Sequence, residues 1–160
     1  MDVYDYAIQI EKEGERYYRQ LQRNTHNSGL KRIFAWLADE EVKHRHVFEG
    51  MQESEEVEFK SASIFENTKS IFEDIRQKKV FDFDASQLDS YRRAQDIEKK
   101  SRDFYLSKAK EIKDAGHKEI IKKVADEEHK HYFLLDNIIE LVSRPQIWLE
   151  NAEWHHLEQY

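Results

Sequence analysis

Apolar residues fall three and four positions apart along four long stretches of this chain, the rhythm of helices that face a bundle core. The first stretch reads Tyr4, Ala7, Glu11, Gly14, Tyr18, Leu21, and the second Phe34, Leu37, Glu41, His44, Phe48, Met51. The third reads Tyr91, Ala94, Glu98, Ser101, Tyr105, and the fourth Ile121, Val124, Glu128, His131, Leu135, Ile138. The pattern predicts one helix from about Val3 to His26 and a second ending near Ser54, followed by two more in the second half. What stands out is where the pattern is broken. Each seam carries a carboxylate at a core position, and two of them carry an imidazole three residues further on.

The two halves are copies. Residues 4–51 set against 91–138, a constant shift of 87 without gaps, give 15 identities in 48 pairs, against about three by chance for ordinary residue usage. Tyr4/Tyr91, Glu11/Glu98, Tyr18/Tyr105, Gly29/Gly116, Glu41/Glu128 and His44/His131 are among them. Two copies are too few for a solenoid and suit two helical hairpins that close on each other. Asn24 to Gly29 and Asp114-Ala115-Gly116 supply the hairpin turns. Residues 53–86 are far too long for a link between adjacent antiparallel helices and suit a crossover along the bundle. A short helix is predicted there at Ser63–Gln77, and Asp84 with Gln87 resembles a capping box for the third long helix. Pro145 should end the fourth helix. Residues 147–157 should form a short terminal helix, with Ile147, Trp148 and Trp154 packed on the bundle. The division expected is a bundle over 1–145 and a helical tail over 146–160.

Antiparallel helices joined by a turn bring residues equidistant from that turn to one height. The midpoint of Glu11 and Glu41 falls in the first turn, and that of Glu98 and Glu128 at the second. Within Glu-x-x-His, the i,i+3 spacing puts both side chains on one face. Glu11, Glu41, His44, Glu98, Glu128 and His131 are therefore candidate metal ligands, four carboxylates and two imidazoles of a dinuclear centre. Several ionised carboxylates together in a core would repel, and each costs several kcal/mol to desolvate. Two divalent cations offset most of that charge, and oxygen-dominated ligation with two imidazoles favours iron, or manganese, over structural zinc. Tyr18 and Tyr105, two turns beyond their glutamates on the same seams, are candidates to hydrogen-bond a ligand carboxylate, or are core aromatics with satisfied hydroxyls. Gly14 and Ser101 are small neighbours of the ligands. Glu40 and Glu127 read mainly as solvated or salt-bridging, with orientation of the histidines as the second reading. His46 and His129 read as surface residues.

Composition narrows the classes. A net charge of −7 argues against nucleic acid or anionic lipid as partner. The absence of Cys excludes thiol catalysis and thiolate-held metal within the chain. No apolar run approaches the ~20 residues of a membrane span. The start of the chain lacks the basic and apolar segments of a secretory leader, so a cytoplasmic protein is expected.

The stretches Ala7 to Gly14 with Tyr17-Tyr18, Leu37 to His44, Asp96 to Lys99 with Phe104-Tyr105, and Val124 to His131 resemble the rubrerythrin branch of the ferritin-like di-iron carboxylate proteins. The resemblance covers about residues 3–143. It implies an all-α, ferritin-like antiparallel four-helix bundle with a long crossover between the second and third helices. Typical rubrerythrins add a rubredoxin domain whose iron is held by four Cys, and this chain has no Cys. They also carry an extra Glu three residues after the third-helix ligand, where Ser101 stands here. The resemblance thus implies a six-ligand centre of two iron ions that reduces hydrogen peroxide or activates dioxygen, with electrons from an external rubredoxin-like or other donor. An iron-oxidising or iron-storage protein is the alternative, and a metal-free interaction module the third reading. A small homo-oligomer, a homodimer with the tail tryptophans near its interface, is the assembly expected.

Overall fold

The structure, a computed structural model, describes residues 1–79 and 81–150 apart from the side chain of Phe65. It contains α1 (Val3–Asn24), α2 (Ser28–Gln52), α3 (Ile64–Lys78), α4 (Leu88–Ala109), α5 (Ala115–Ser143) and α6 (Pro145–Glu150), with no strand among the described residues. The helices α1 and α2 form one antiparallel hairpin and α4 and α5 the other. Together they make the all-α ferritin-like bundle, and α3 lies in the crossover.

The helix boundaries follow local chemistry. Asp2 and Asp5 form a reciprocal capping box at the start of α1, each side chain accepting from the other's backbone N–H. Asn27 caps α2 by accepting from Leu30 N at 3.0 Å, and Asp114 caps α5 by accepting from His117 N at 3.0 Å. The third long helix starts differently from the expectation. Asp84 accepts from the backbone N and hydroxyl of Ser86 and caps a 3-10 turn at Ala85–Gln87, which leads into α4; Gln87 is the N-cap of α4 without a side-chain bond. An aspartate can close a tight turn two residues on as readily as a helix three residues on, and here the turn wins.

The buried residues of α1 are Ala7, Glu11, Gly14, Tyr18 and Leu21, the seam read from the sequence with only Tyr4 less covered. Between the helices the apolar core divides in two. One cluster surrounds Leu30, Phe34, Leu37, Leu134 and Ile138 and extends to Phe72 and Trp148; the other holds Phe48, Met51, Tyr105, Ile121 and Val124. The polar seam residues lie at mid-helix, at the junction of these two clusters. Trp148 is buried against Phe72, and its indole N–H donates to Asn137 at 3.1 Å. It is covered by its own chain and offers no surface to a second copy. Ile147, expected to pack on the bundle, is 42% exposed, because adjacent residues of a helix lie about 100° apart and Trp148 takes the inward face. The Trp154 expectation and most of the predicted terminal helix lie outside the described residues.

Candidate metal centre

All six seam residues meet. Glu11 on α1, Glu41 and His44 on α2, Glu98 on α4, and Glu128 and His131 on α5 are each at most 3% exposed. Their donor atoms form two overlapping groups, each within 4.8 Å: Glu11, Glu41, His44 and Glu128 in one, and Glu41, Glu98, Glu128 and His131 in the other. Glu41 and Glu128 belong to both. The arrangement follows the repeat. His44 Nδ1 lies 3.0 Å from Glu128 and 3.5 Å from Glu11, while His131 Nδ1 lies 3.4 Å from Glu98 and 3.9 Å from Glu41. The two imidazoles are nearly parallel, with centroids 6.1 Å apart.

The two tyrosines cross between the halves. Tyr18 of α1 donates its hydroxyl to Glu98 of α4, and Tyr105 of α4 donates to Glu11 of α1 at 2.7 Å. Burial, and then the charge of the glutamate each one faces, pushes both phenols well above their ordinary pKa, so the hydroxyls stay protonated and donate. Of the two readings of these residues, carboxylate hydrogen bonding is the one the structure shows.

Glu127, read as solvated or salt-bridging with orientation of a histidine second, is out of solvent and paired with a histidine. It is 1% exposed, accepts from His44 Nε2 at 2.6 Å, and accepts from Ala62 N of the crossover at 2.7 Å. Burial pushes its carboxyl up, yet the bonds and charge of His44 outweigh that and hold it below the ordinary value. Its repeat partner Glu40 is 7% exposed, and one of its oxygens has no partner. Burial, then the nearby Glu127, raises the pKa of Glu40. Among the other histidines, His46 is exposed as expected, while His129, read as a surface residue, is half-buried against Phe133; both lie outside the donor groups of the six ligands.

The charges are unbalanced without a cation. Burial first, then the neighbouring carboxylates, pushes Glu41 and Glu128 well above the ordinary carboxylate range. Burial also acts to raise Glu98, but His131, Glu128 and Tyr18 hold it below that range. Burial would lower His44, but Glu11, Glu127 and Glu41 drive it well above its usual value.

A family model for rubrerythrin matches residues 2–139. The chain belongs to the rubrerythrin family. No curated protein and no solved structure matches it. Rubrerythrins are di-iron carboxylate proteins, and the residues of this rubrerythrin fit such a centre on their own evidence. Glu11 Oε2, Glu98 Oε2, Glu128 Oε1, His44 Nδ1 and His131 Nδ1 are all buried with no hydrogen-bond partner. His44 Nδ1 and Glu128 Oε1 stand at hydrogen-bond distance without hydrogen-bond direction. Buried polar atoms are almost always paired, so five orphans in one place fit a site that could hold a cation. Ser101, where many rubrerythrins carry another Glu, gives its hydroxyl to Ile97 O at 2.8 Å and contributes no carboxylate. No helix among the described residues is long and apolar enough to cross a membrane.

Proposed function

We propose that this chain is a non-haem di-iron protein that reduces hydrogen peroxide, with an external protein or other reductase as its electron source. The observation that supports it is the pair of overlapping four-donor groups that share Glu41 and Glu128. Two ions would be held, one by Glu11 and His44, the other by Glu98 and His131, with Glu41 and Glu128 common to both. Two ferrous ions supply Lewis acidity and two electrons for O–O cleavage.

The chain's own groups do the rest. Glu127 accepts from His44 Nε2, which would keep that nitrogen protonated and leave Nδ1 to an ion that displaces its proton. Tyr18 and Tyr105 hold one oxygen each of Glu98 and Glu11, leaving the other oxygen free. The two apolar clusters on either side keep bulk water from the carboxylates, which strengthens every charge interaction there. With no Cys in the chain, turnover requires electrons delivered from outside. A homodimer is the proposed assembly.

The test is stopped-flow oxidation of the anaerobic, ferrous-loaded protein. Hydrogen peroxide should oxidise it in a single turnover faster than dioxygen does. Sustained turnover should need an added reduced carrier and should vanish in His44→Ala and His131→Ala. Dioxygen reacting much faster than peroxide, with mineral forming inside a shell of many subunits, would instead establish iron oxidation and storage.

A further inference from the structure

The two open sides of the centre are treated differently by the fold. On the α2–α5 side the crossover closes over it: Phe59 stands 5.7 Å from the His44 ring, and Ala62 N caps Glu127. Lys43 ties this segment down, donating to Lys60 O at 2.7 Å and lying over the Phe59 ring. On the α1–α4 side no segment crosses among the described residues. A cleft of about 560 Å³ runs there instead, with half-buried Ile10, Tyr17, Ile97 and Phe104 along its walls and exposed Glu13, Arg16, Gln20 and Lys100 at its rim.

Two small residues, Ser101 and Gly14, stand between the cleft and the buried centre. Ser101 lines the cleft, is 5% exposed, and stands one turn along α4 from Glu98. Gly14 stands one turn along α1 from Glu11, between Ile10 and Tyr17 of the cleft wall. A Cβ at position 14 would meet Glu41 Oε2 at 2.8 Å, so on its inner side this backbone touches a carboxylate of the centre. Only Gly allows that approach without displacing Glu41.

A volume of this size and an apolar lining belong to sites that hold an organic molecule. Hydrogen peroxide is little larger than water and has no use for apolar walls. We infer that the α1–α4 cleft binds small organic hydroperoxides, with the apolar body against Ile10, Ile97 and Phe104 and the peroxide end toward Ser101. This rests on the peroxide-reduction reading and widens its substrate class. The reaction balances: the O–O bond breaks, two electrons come from the reduced iron, two protons come from solvent, and the products are an alcohol and one water.

Cumyl alcohol, the product of cumene hydroperoxide, tests the cleft with no iron and no turnover. Titrated into the full chain, it should shift the methyl NMR signals of Ile10 and Ile97 saturably at millimolar concentration. Ile97→Trp, which fills the cleft, should weaken the effect on Ile10 at least tenfold, whereas Ile97→Ala, which trims one wall and leaves the cleft open, should weaken it clearly less. In the ferrous-loaded protein, Ile97→Trp should lower the ratio of cumene hydroperoxide to hydrogen peroxide oxidation rates at least tenfold. Absence of saturable shifts, or shifts indifferent to Ile97→Trp, overturns the proposal. So does a dimer that dissociates in Ile97→Trp while the alcohol has no effect, since the cleft would then be a contact between copies. Reaction of the loaded protein with neither peroxide would fell the peroxide reading and the hydroperoxide with it, whereas saturable alcohol binding would still establish the cleft as an organic-ligand site.

Discussion

His44 and His131 occupy equivalent places in the two repeats, yet their far nitrogens live in different surroundings. His44 Nε2 is held by Glu127, which is itself held by the crossover, whereas His131 Nε2 has no hydrogen-bond partner and its ring meets the edge of Trp36. The near nitrogens face matching carboxylates in both cases. The difference therefore does not come from the repeat. It comes from the crossover, which exists once and, among the described residues, meets the centre on the His44 side. A duplicated sequence supplies symmetric donors, and the single connection between the copies makes them unequal.

The largest effect should leave the two sides equal. Glu41 and Glu128 belong to both donor groups, so Glu41→Ala and Glu128→Ala should each cost at least half of the bound iron. Elemental analysis after anaerobic loading checks it, and a loss in only one of the two variants would break the proposed sharing.

The next effect should separate the sides. Glu127→Ala removes the bond to His44 and should weaken metal binding roughly 10–100-fold, the usual cost of losing a partner behind a ligand histidine. Glu40→Ala removes no such bond and should cost less than about threefold. Competition with a coloured chelator measures both. Equal losses would mean that the asymmetry at the far nitrogens has no bearing on the metal.

Metal should also stabilise the fold. At a hundredfold excess over Kd, binding to the native state contributes about 2.7 kcal/mol, which for a chain of this size raises Tm by roughly 5–10 °C. In Glu41→Ala and Glu128→Ala that gain should shrink strongly. Coincident melting curves with and without metal would favour a metal-free helical module.

The smallest effect concerns pH in the metal-free chain. Glu41, Glu128 and His44 all have raised folded-state pKa values. Such groups contribute stability that is full below their unfolded pKa and is lost as pH rises through the folded one. Glu98 and Glu127 act in the opposite sense, with stability present above the ordinary carboxylate value and lost as pH falls through their lowered ones. In chelator, urea stability should therefore decline as pH rises above the ordinary carboxylate range. Metal should reverse the trend, because it competes with protons for the same atoms. His44→Ala should flatten the decline. A metal-free stability that climbs steadily with pH would contradict this balance.

The seam residues were legible in the sequence because buried helix positions repeat every three to four residues and the two halves repeat each other. Glu11, Glu41, His44, Glu98, Glu128 and His131 could be placed at one height by counting from the turns. For Glu127 only the kind of role could be read, as the second of two readings: the histidine it bonds is 83 positions away on the other hairpin, and its backbone partner lies in a segment with no periodicity. Tyr18 and Tyr105 were visible as seam residues, but their partners were not, because each bonds a glutamate on the other hairpin rather than its own. The α4 start was misread since Asp84 spends its carboxylate on Ser86. The cleft was out of reach altogether, as a gap between two helices leaves no mark on either alone.

The crossed tyrosines have a consequence for how the chain assembles. Each hairpin lends its hydroxyl to the carboxylate of the other, so one hairpin cannot complete itself and two can. Nothing in that exchange requires both hairpins to come from the same chain. A protomer whose 30-odd-residue crossover is cut short could no longer fold its second hairpin back on its first, and would be satisfied by trading hairpins with a neighbour. Domain exchange is then a low-cost route for this architecture. The segment that makes His44 and His131 unequal is also what keeps the molecule's two halves at home.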